Sequence, residues 1–354
     1  MKIILTGGGT MGSVSPLLAL YEEIKNLDLA TEFLFIGTKT GPEKAVVEKY
    51  QIEFKAIWSG KLRRYLDWHN LVDPFLILVG LGQALKIIWQ FRATVVVSAG
   101  SFVSVPVVIA AFLLRKKILI HQQDLRPGLA NKICAPLADK ITVTFPDSLK
   151  YYPAAKTECL GNPARQEILN CTKQRGLDFF QLSPDLPTLL VLGGGTGAQF
   201  INEVLVKALP ELLQFCQIIH SSGRGKTIEG IEHSQYHNFE FLSTEMPEAL
   251  AAADVVVSRA GLGTMTELSV LGKPTILIPI ADSHQEDNAL YYQKHNAALV
   301  IMQQFLTDQL LVKLVKELLR DPAALQNYSR NIKKMISPLA GQKIAKIIVS
   351  LGKN

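Results

Sequence analysis

Residues 258–267 read Ser-Arg-Ala-Gly-Leu-Gly-Thr-Met-Thr-Glu, a glycine turn set among hydroxyls and closed by a carboxylate. The valines at 255–257 predict a buried strand before it and the residues after it a helix. Such a turn aims backbone N–H groups and the positive end of a helix dipole at an anion such as a diphosphate. Thr264 and Glu267 also satisfy a T-x-x-E capping box, in which Glu267 only closes the helix end. Both readings stand on spacing alone. Some twenty residues on, His284-Gln285-Glu286-Asp287-Asn288-Ala289 follows an apolar run ending at Pro279-Ile280. Polar groups just beyond a strand's carboxyl end lie where α/β sheets bind ligands, although an ordinary solvated loop looks the same.

Two glycine turns could also meet phosphate. Gly7, Gly9 and Gly12 match G-x-G-x-x-G, and Gly193, Gly195 and Ala198 match G-x-G-x-x-A. A dinucleotide site further needs an acid at the end of the second strand, to hold ribose. The chain has Gly37-Thr38-Lys39 at one such place and Ser221-Ser222-Gly223 at the other, so NAD and FAD are disfavoured. No Asp-x-Asp pair occurs, and Cys134, Cys159, Cys171 and Cys216 are scattered without metal-ligand spacing. No cofactor and no metal are expected.

These groups need a scaffold. Each glycine turn follows a short apolar run and precedes a helical pattern, the opening unit of a doubly wound α/β domain. Phe33–Ile36, Thr94–Ser98, Ile118–His121 and Ile141–Thr144 continue the strands of the first half. Thr188–Leu192, Gln217–His220, Val255–Ser258 and Thr275–Ile280 supply those of the second. At 354 residues, 48% apolar and 19% charged, the chain is long and apolar enough for two such cores. The boundary is expected near Gly161-Asn162-Pro163, giving domains 1–163 and 164–335, with a helix at about 336–354 free to pack back on the first. The net charge of +6 suits anionic small molecules or an anionic membrane face and argues against a nucleic-acid binder. Glycine arrives at Gly7, too early for a signal peptide, and the apolar run Phe75–Leu85 is too short to span a bilayer.

Taken in order, Gly8-Gly9-Thr10-x-Gly12, Gly161-Asn162-Pro163-x-Arg165, Gly193-Gly194-x-x-Gly197-Ala198, the block Ala253 to Gly261 and His284-Gln285-x-x-Asn288-Ala289 resemble the MurG family. These are membrane-associated peptidoglycan N-acetylglucosaminyltransferases of glycosyltransferase family 28. The resemblance implies an α/β GT-B fold, two Rossmann-like doubly wound parallel-sheet domains facing a cleft. It also implies a UDP-N-acetylglucosamine donor held mostly by the second domain. Carried over, Glu267 would hold the ribose hydroxyls while Leu262, Gly263, Thr264, Met265 and Thr266 line the nucleotide. Gln285 would bind the donor sugar, Asn288 would support that loop, and Arg165 would lie near the diphosphate. Thr10, Met11, Gly12, Asp124, Gly195 and Leu242 complete the implied donor side.

The chain departs from the family near the acceptor. The family's G-G-T-G-G-H becomes Gly8-Gly9-Thr10-Met11-Gly12-Ser13, and its H-E-Q-N becomes His121-Gln122-Gln123-Asp124. The catalytic candidates there are Asp124, Ser13 and His121. A serine hydroxyl does not titrate near neutrality and Gln122 cannot ionise. His121 is expected inside a strand end with its ring committed to packing. Proton acceptance therefore falls to Asp124, whose other reading is a turn residue opening the Arg126-Pro127-Gly128 loop. Lys61, Arg63 and Arg64 precede an apolar stretch with Phe75, Leu76 and Leu78, and Trp89 follows it. This pattern fits either an interfacial segment for anionic membranes or a buried helix with solvated flanks.

The expected activity is inverting, metal-independent transfer of N-acetylglucosamine to a lipid-linked acceptor at the cytoplasmic membrane face. A related hexosyltransferase, a UDP-N-acetylglucosamine 2-epimerase and a non-catalytic nucleotide-sugar-binding subunit are the alternatives.

Overall fold

The structure is a computed structural model describing residues 1–60, 69–194, 198–226, 228–242 and 244–353, with side chains in the helix from His69 described from Phe75 onward. Lys61, Arg63, Arg64 and Gly195 lie outside the described residues.

The chain forms two compact units, Met1–Arg165 with Pro338–Asn354, and Gln166–Ser337. In the first, β1 (Lys2–Thr6), β2 (Glu32–Thr38), β3 (Glu53–Ile57), β4 (Val95–Ser98), β5 (Lys117–Gln122), β6 (Lys140–Val143) and β7 (Thr157–Cys159) form one parallel sheet. Its strand order is β3-β2-β1-β4-β5-β6-β7. In the second unit, β8 (Thr188–Leu192), β9 (Gln217–Ser221), β10 (Tyr236–Phe239), β11 (Val255–Ser258), β12 (Thr275–Leu277) and β13 (Leu299–Val300) run parallel in the order β10-β9-β8-β11-β12-β13.

Side chains alternate across a strand, so a sheet covered on both faces needs strands that are apolar throughout. In the first unit Ile4, Val96, Ile118 and Ile120 join one core, while Ile3, Leu5, Val95, Val97 and Leu119 join the core on the other face. The latter core also takes Ile344, Ala345 and Ile348 from the Ala340–Lys353 helix, each 0% exposed. That helix lies along the Ser15–Leu27 helix, where a Cβ on Gly341 would crowd the Glu23 side chain at 3.1 Å.

The strand order reverses between β1 and β4 in the first sheet and between β8 and β11 in the second. Loops diverge at such a point and leave a crevice at the strands' carboxyl ends. Leu5 is in register with Val97, and Leu192 with Ser258, so each glycine turn emerges level with the turn beside it.

Candidate active site

In the second unit, Gly261 is the extended N-cap of the Leu262–Leu271 helix, and the first bonded amide belongs to Met265, which donates to the Gly261 carbonyl at 3.0 Å. The amides of Leu262, Gly263 and Thr264 thus precede the intrahelical ladder and can meet an anion. This start overturns the capping-box reading. Thr264 stands inside the first turn rather than at the cap, so Glu267 is a helix-interior residue, only 9% exposed. Gly263 and Thr264 are half-buried, whereas Leu262, Met265 and Thr266 are at most 5% exposed. The Thr266 hydroxyl donates to the Leu262 carbonyl at 2.6 Å. The side chains of these three are buried, so backbone atoms are what they can offer a ligand.

Arg259 braces this turn. Its guanidinium donates from Nη1 to the carbonyls of Ile278 and Pro279 at 3.1 and 3.2 Å, and from Nη2 to Gln303 Oε1 at 2.7 Å. The planar fork ties the two carbonyls that follow β12 to the Gln303 side chain, which comes after β13. Beyond it, Ser283 caps the His284–Lys294 helix. Gln285 Oε1 accepts from the Ile280 amide at 3.2 Å, and its Nε2 lies 4.0 Å from the position a Cβ on Gly261 would take. Asn288 is fully buried, with Nδ2 directed at the Ala260 carbonyl at 3.5 Å. Gly261, Gln285 and Asn288 are therefore brought together across two helix starts.

On the other side of the switch point, Gly194 has φ of 78° and the Gly193 amide donates to the Ser221 carbonyl at 3.3 Å. His220 anchors this corner. Its Nδ1 meets the Tyr236 hydroxyl at 2.9 Å and its Nε2 meets Asn202 Oδ1 at 3.1 Å, while Asn202 Nδ2 donates to the Ser222 carbonyl. Burial pushes the His220 pKa down to about 4. Leu242 is 2% exposed, and Arg165 is half-buried immediately before the Gln166–Leu169 turn of helix.

In the first unit the loop after β1 carries Thr10, Met11 and Gly12 at its open crest. Ser13 lies beneath, 9% exposed, with Oγ accepting from the Gly8 amide at 3.0 Å and within reach of the carbonyls of Gly8 and Thr10. It shapes the loop, which corrects its candidacy as a catalytic group. His121 is corrected likewise. Its ring is 0% exposed, with Nε2 on Asn162 Oδ1 at 2.7 Å and Nδ1 on the Thr142 hydroxyl at 2.9 Å. An amide oxygen only accepts, so Nε2 carries the hydrogen and the hydroxyl donates to Nδ1. Burial holds this neutral ring at a pKa of about 4, and no substrate hydroxyl can reach it.

Gln122 explains its own departure from the family pattern. Nε2 donates to the carbonyls of Asp124 and Arg126 at 2.7 and 3.1 Å, and Oε1 accepts from Asn131 Nδ2 and the Tyr152 hydroxyl at 2.7 and 2.9 Å. A carboxylate has no hydrogen to give those carbonyls. The amide thereby folds the loop that presents Asp124, which is half-buried at the carboxyl end of β5. Sequence reasoning missed Glu43, a fully buried acid bonded to the Gly9 amide.

The geometry defines a class: two Rossmann-like α/β units of the GT-B kind, the second with a capped helix start suited to a nucleotide-linked anion. Residues 3–143 match the glycosyltransferase family 28 N-terminal domain, and residues 188–344 match the family 28 C-terminal domain. The chain belongs to glycosyltransferase family 28, in its MurG branch. A Clostridium perfringens protein is 42% identical over 322 residues, 90% of each chain. It is a UDP-N-acetylglucosamine--N-acetylmuramyl-(pentapeptide) pyrophosphoryl-undecaprenol N-acetylglucosamine transferase. A Clostridium botulinum protein of the same name is 41% identical over 317 residues, 88% of this chain and 89% of its own. Among solved structures, Acinetobacter baumannii MurG superposes with a TM-score of 0.75 over 99% of both chains at 23% identity. A UDP-GlcNAc 2-epimerase from Neisseria meningitidis shares the fold at TM-score 0.71 and 12% identity over all of both chains.

Proposed function

We propose that this chain transfers N-acetylglucosamine from UDP-N-acetylglucosamine to a lipid-linked acceptor, the N-acetylmuramyl-(pentapeptide) pyrophosphoryl-undecaprenol of its relatives' names, in peptidoglycan synthesis. The observation that carries this reading is the 42% identity, over nine-tenths of both chains, to a transferase so named. Most of the groups assigned to the donor lie in the second unit, and Arg165 is the last residue of the first unit before its closing helix returns. Amides of Leu262 to Thr264 and Arg165 face the diphosphate, Glu267 takes the ribose hydroxyls, and Gln285, steadied by Asn288, takes the sugar. The acceptor hydroxyl attacks the anomeric carbon, the bond to the diphosphate oxygen breaks with inversion, and UDP leaves. A helix start and a cation stabilise the departing charge without a metal ion. The acceptor's proton passes to Asp124, a half-buried acid at the carboxyl end of β5.

The first unit works at the cytoplasmic membrane face. What supports this is the His69–Phe91 helix, on which Phe75, Leu78 and Trp89 are 70%, 63% and 71% exposed, with Leu76 half-buried beside them. Lys86 and Arg92 are exposed on the same stretch, and Trp89, Arg92 and Lys116 line one hollow. Apolar side chains rimmed by cations suit an anionic bilayer surface. Among the described residues, no helix is long and apolar enough to cross a membrane.

Release of UDP from UDP-sugars, measured with and without lipid-extract acceptors, tests the function. Release that requires the lipid acceptor is expected. Conversion of the donor alone would make the protein an epimerase, and UDP-sugar binding without turnover would make it a binding subunit.

A further inference from the structure

We propose that Glu43 is a positioning residue for the transfer step, its buried carboxylate fixing the crest Thr10–Gly12 of the first glycine loop. This rests on the reading of the chain as a transferase whose first unit meets the acceptor. Glu43 opens the Glu43–Lys49 helix and is 0% exposed. A carboxylate so enclosed is tolerated only when donors surround it. Oε1 accepts from the Thr38 amide at 2.7 Å and from the Thr38 hydroxyl, and that hydroxyl accepts from the Gly41 amide at 2.9 Å. Those bonds would close the turn after β2 by themselves. Oε2 does something else: it reaches across to a different strand's loop and accepts from the Gly9 amide at 3.1 Å.

The loop is pinned from a second direction as well. Ser101 Oγ donates to the Gly8 carbonyl at 2.7 Å, and the Phe102 ring fills the space where Gly9, at φ of 76°, would carry a side chain. The amides of Gly8 and Gly9 are thus already engaged, by Ser13 Oγ and Glu43 Oε2. A substrate anion at this loop can be met only by the crest, whose place Glu43 sets from behind. Glu43 touches no substrate and acts through Gly9.

The test is Glu43→Gln, which keeps size and removes one accepting oxygen. UDP affinity by calorimetry should stay within about twofold, because Glu267 and the amides of Leu262 to Thr264, which this reading assigns to the nucleotide itself, lie in the second unit. The kcat/KM for the lipid-linked acceptor should fall about 10- to 100-fold, the scale of a small misplacement near reacting atoms. Ser101→Ala should show the same split more weakly, and it decides the matter alone if Glu43→Gln fails to fold. Acceptor kinetics within about twofold of wild type overturn the proposal, as does an equal loss of UDP affinity and acceptor turnover. Hydrogen exchange at the amides of Gly9 to Gly12 needs no substrate: at least about tenfold faster exchange in the variant is expected, and unchanged exchange overturns the proposal even if wild type proves not to be a transferase.

Discussion

Acid should destabilise both units through one buried ring in each. His121 and His220 hold folded-state pKa values near 4 because burial penalises their charged form, against an ordinary value of 6.5. Between those limits the unfolded chain takes up protons that the folded chain refuses, so stability falls as pH falls. One pKa unit corresponds to about 1.4 kcal/mol, which gives about 2 kcal/mol per ring between pH 7 and pH 5, or about 4 kcal/mol for the two. That is a large share of the ~5–15 kcal/mol typical of a folded domain. Urea denaturation at pH 7 and pH 5, followed by circular dichroism, should show the midpoint moving sharply down at the lower pH. His121→Gln and His220→Gln are neutral at both, and each should remove about 2 kcal/mol of the pH-dependent loss, while His237, whose pKa burial also lowers, keeps a smaller remainder. A midpoint equally pH-dependent in the double variant would refute the reasoning, because the proton uptake would then belong to other groups.

Three further outcomes follow from the site. Glu267→Ala should weaken UDP-sugar binding by ~1–3 kcal/mol, the scale for losing a charged acceptor, while the helix survives with a stability cost of no more than about 2 kcal/mol; stability loss with intact binding would return Glu267 to a structural role. Asp124→Asn should lower turnover by ~10²–10⁴-fold with donor affinity unchanged, and full activity would leave Asp124 as a turn residue. Replacing Phe75, Leu78 and Trp89 with serine should reduce sedimentation with anionic vesicles at constant salt, and undiminished binding would move the membrane contact elsewhere.

Interior strands were legible in the sequence and edge strands were not. β1, β2, β4, β5, β6, β8, β9, β11 and β12 are flanked on both sides, so their burial leaves an apolar run to read. The missed strands β3, β7, β10 and β13 are the four edges of the two sheets. Glu53-Phe54-Lys55-Ala56-Ile57 and Tyr236-His237-Asn238-Phe239 pair on one side only, and backbone pairing puts no mark on composition. The glycine turns were legible for a related reason, since a positive φ or a crowded Cβ narrows the choice of residue. Glu267 was read ambiguously because capping depends on where a helix starts, and Gly261 rather than Thr264 proved to be that place. Glu43 stayed hidden because its meaning lies in Gly9, a contact that no local spacing reports.

The Ala340–Lys353 helix sets an order on synthesis. Residues 166–337 leave the ribosome as a whole second unit, with every strand of its sheet in hand. The first unit, begun earlier, still lacks Ile344, Ala345 and Ile348, and one apolar face of its sheet stays partly uncovered until they emerge. The unit made first is therefore the unit finished last. During that interval its open face depends on the speed of translation and on whatever holds nascent chains apart.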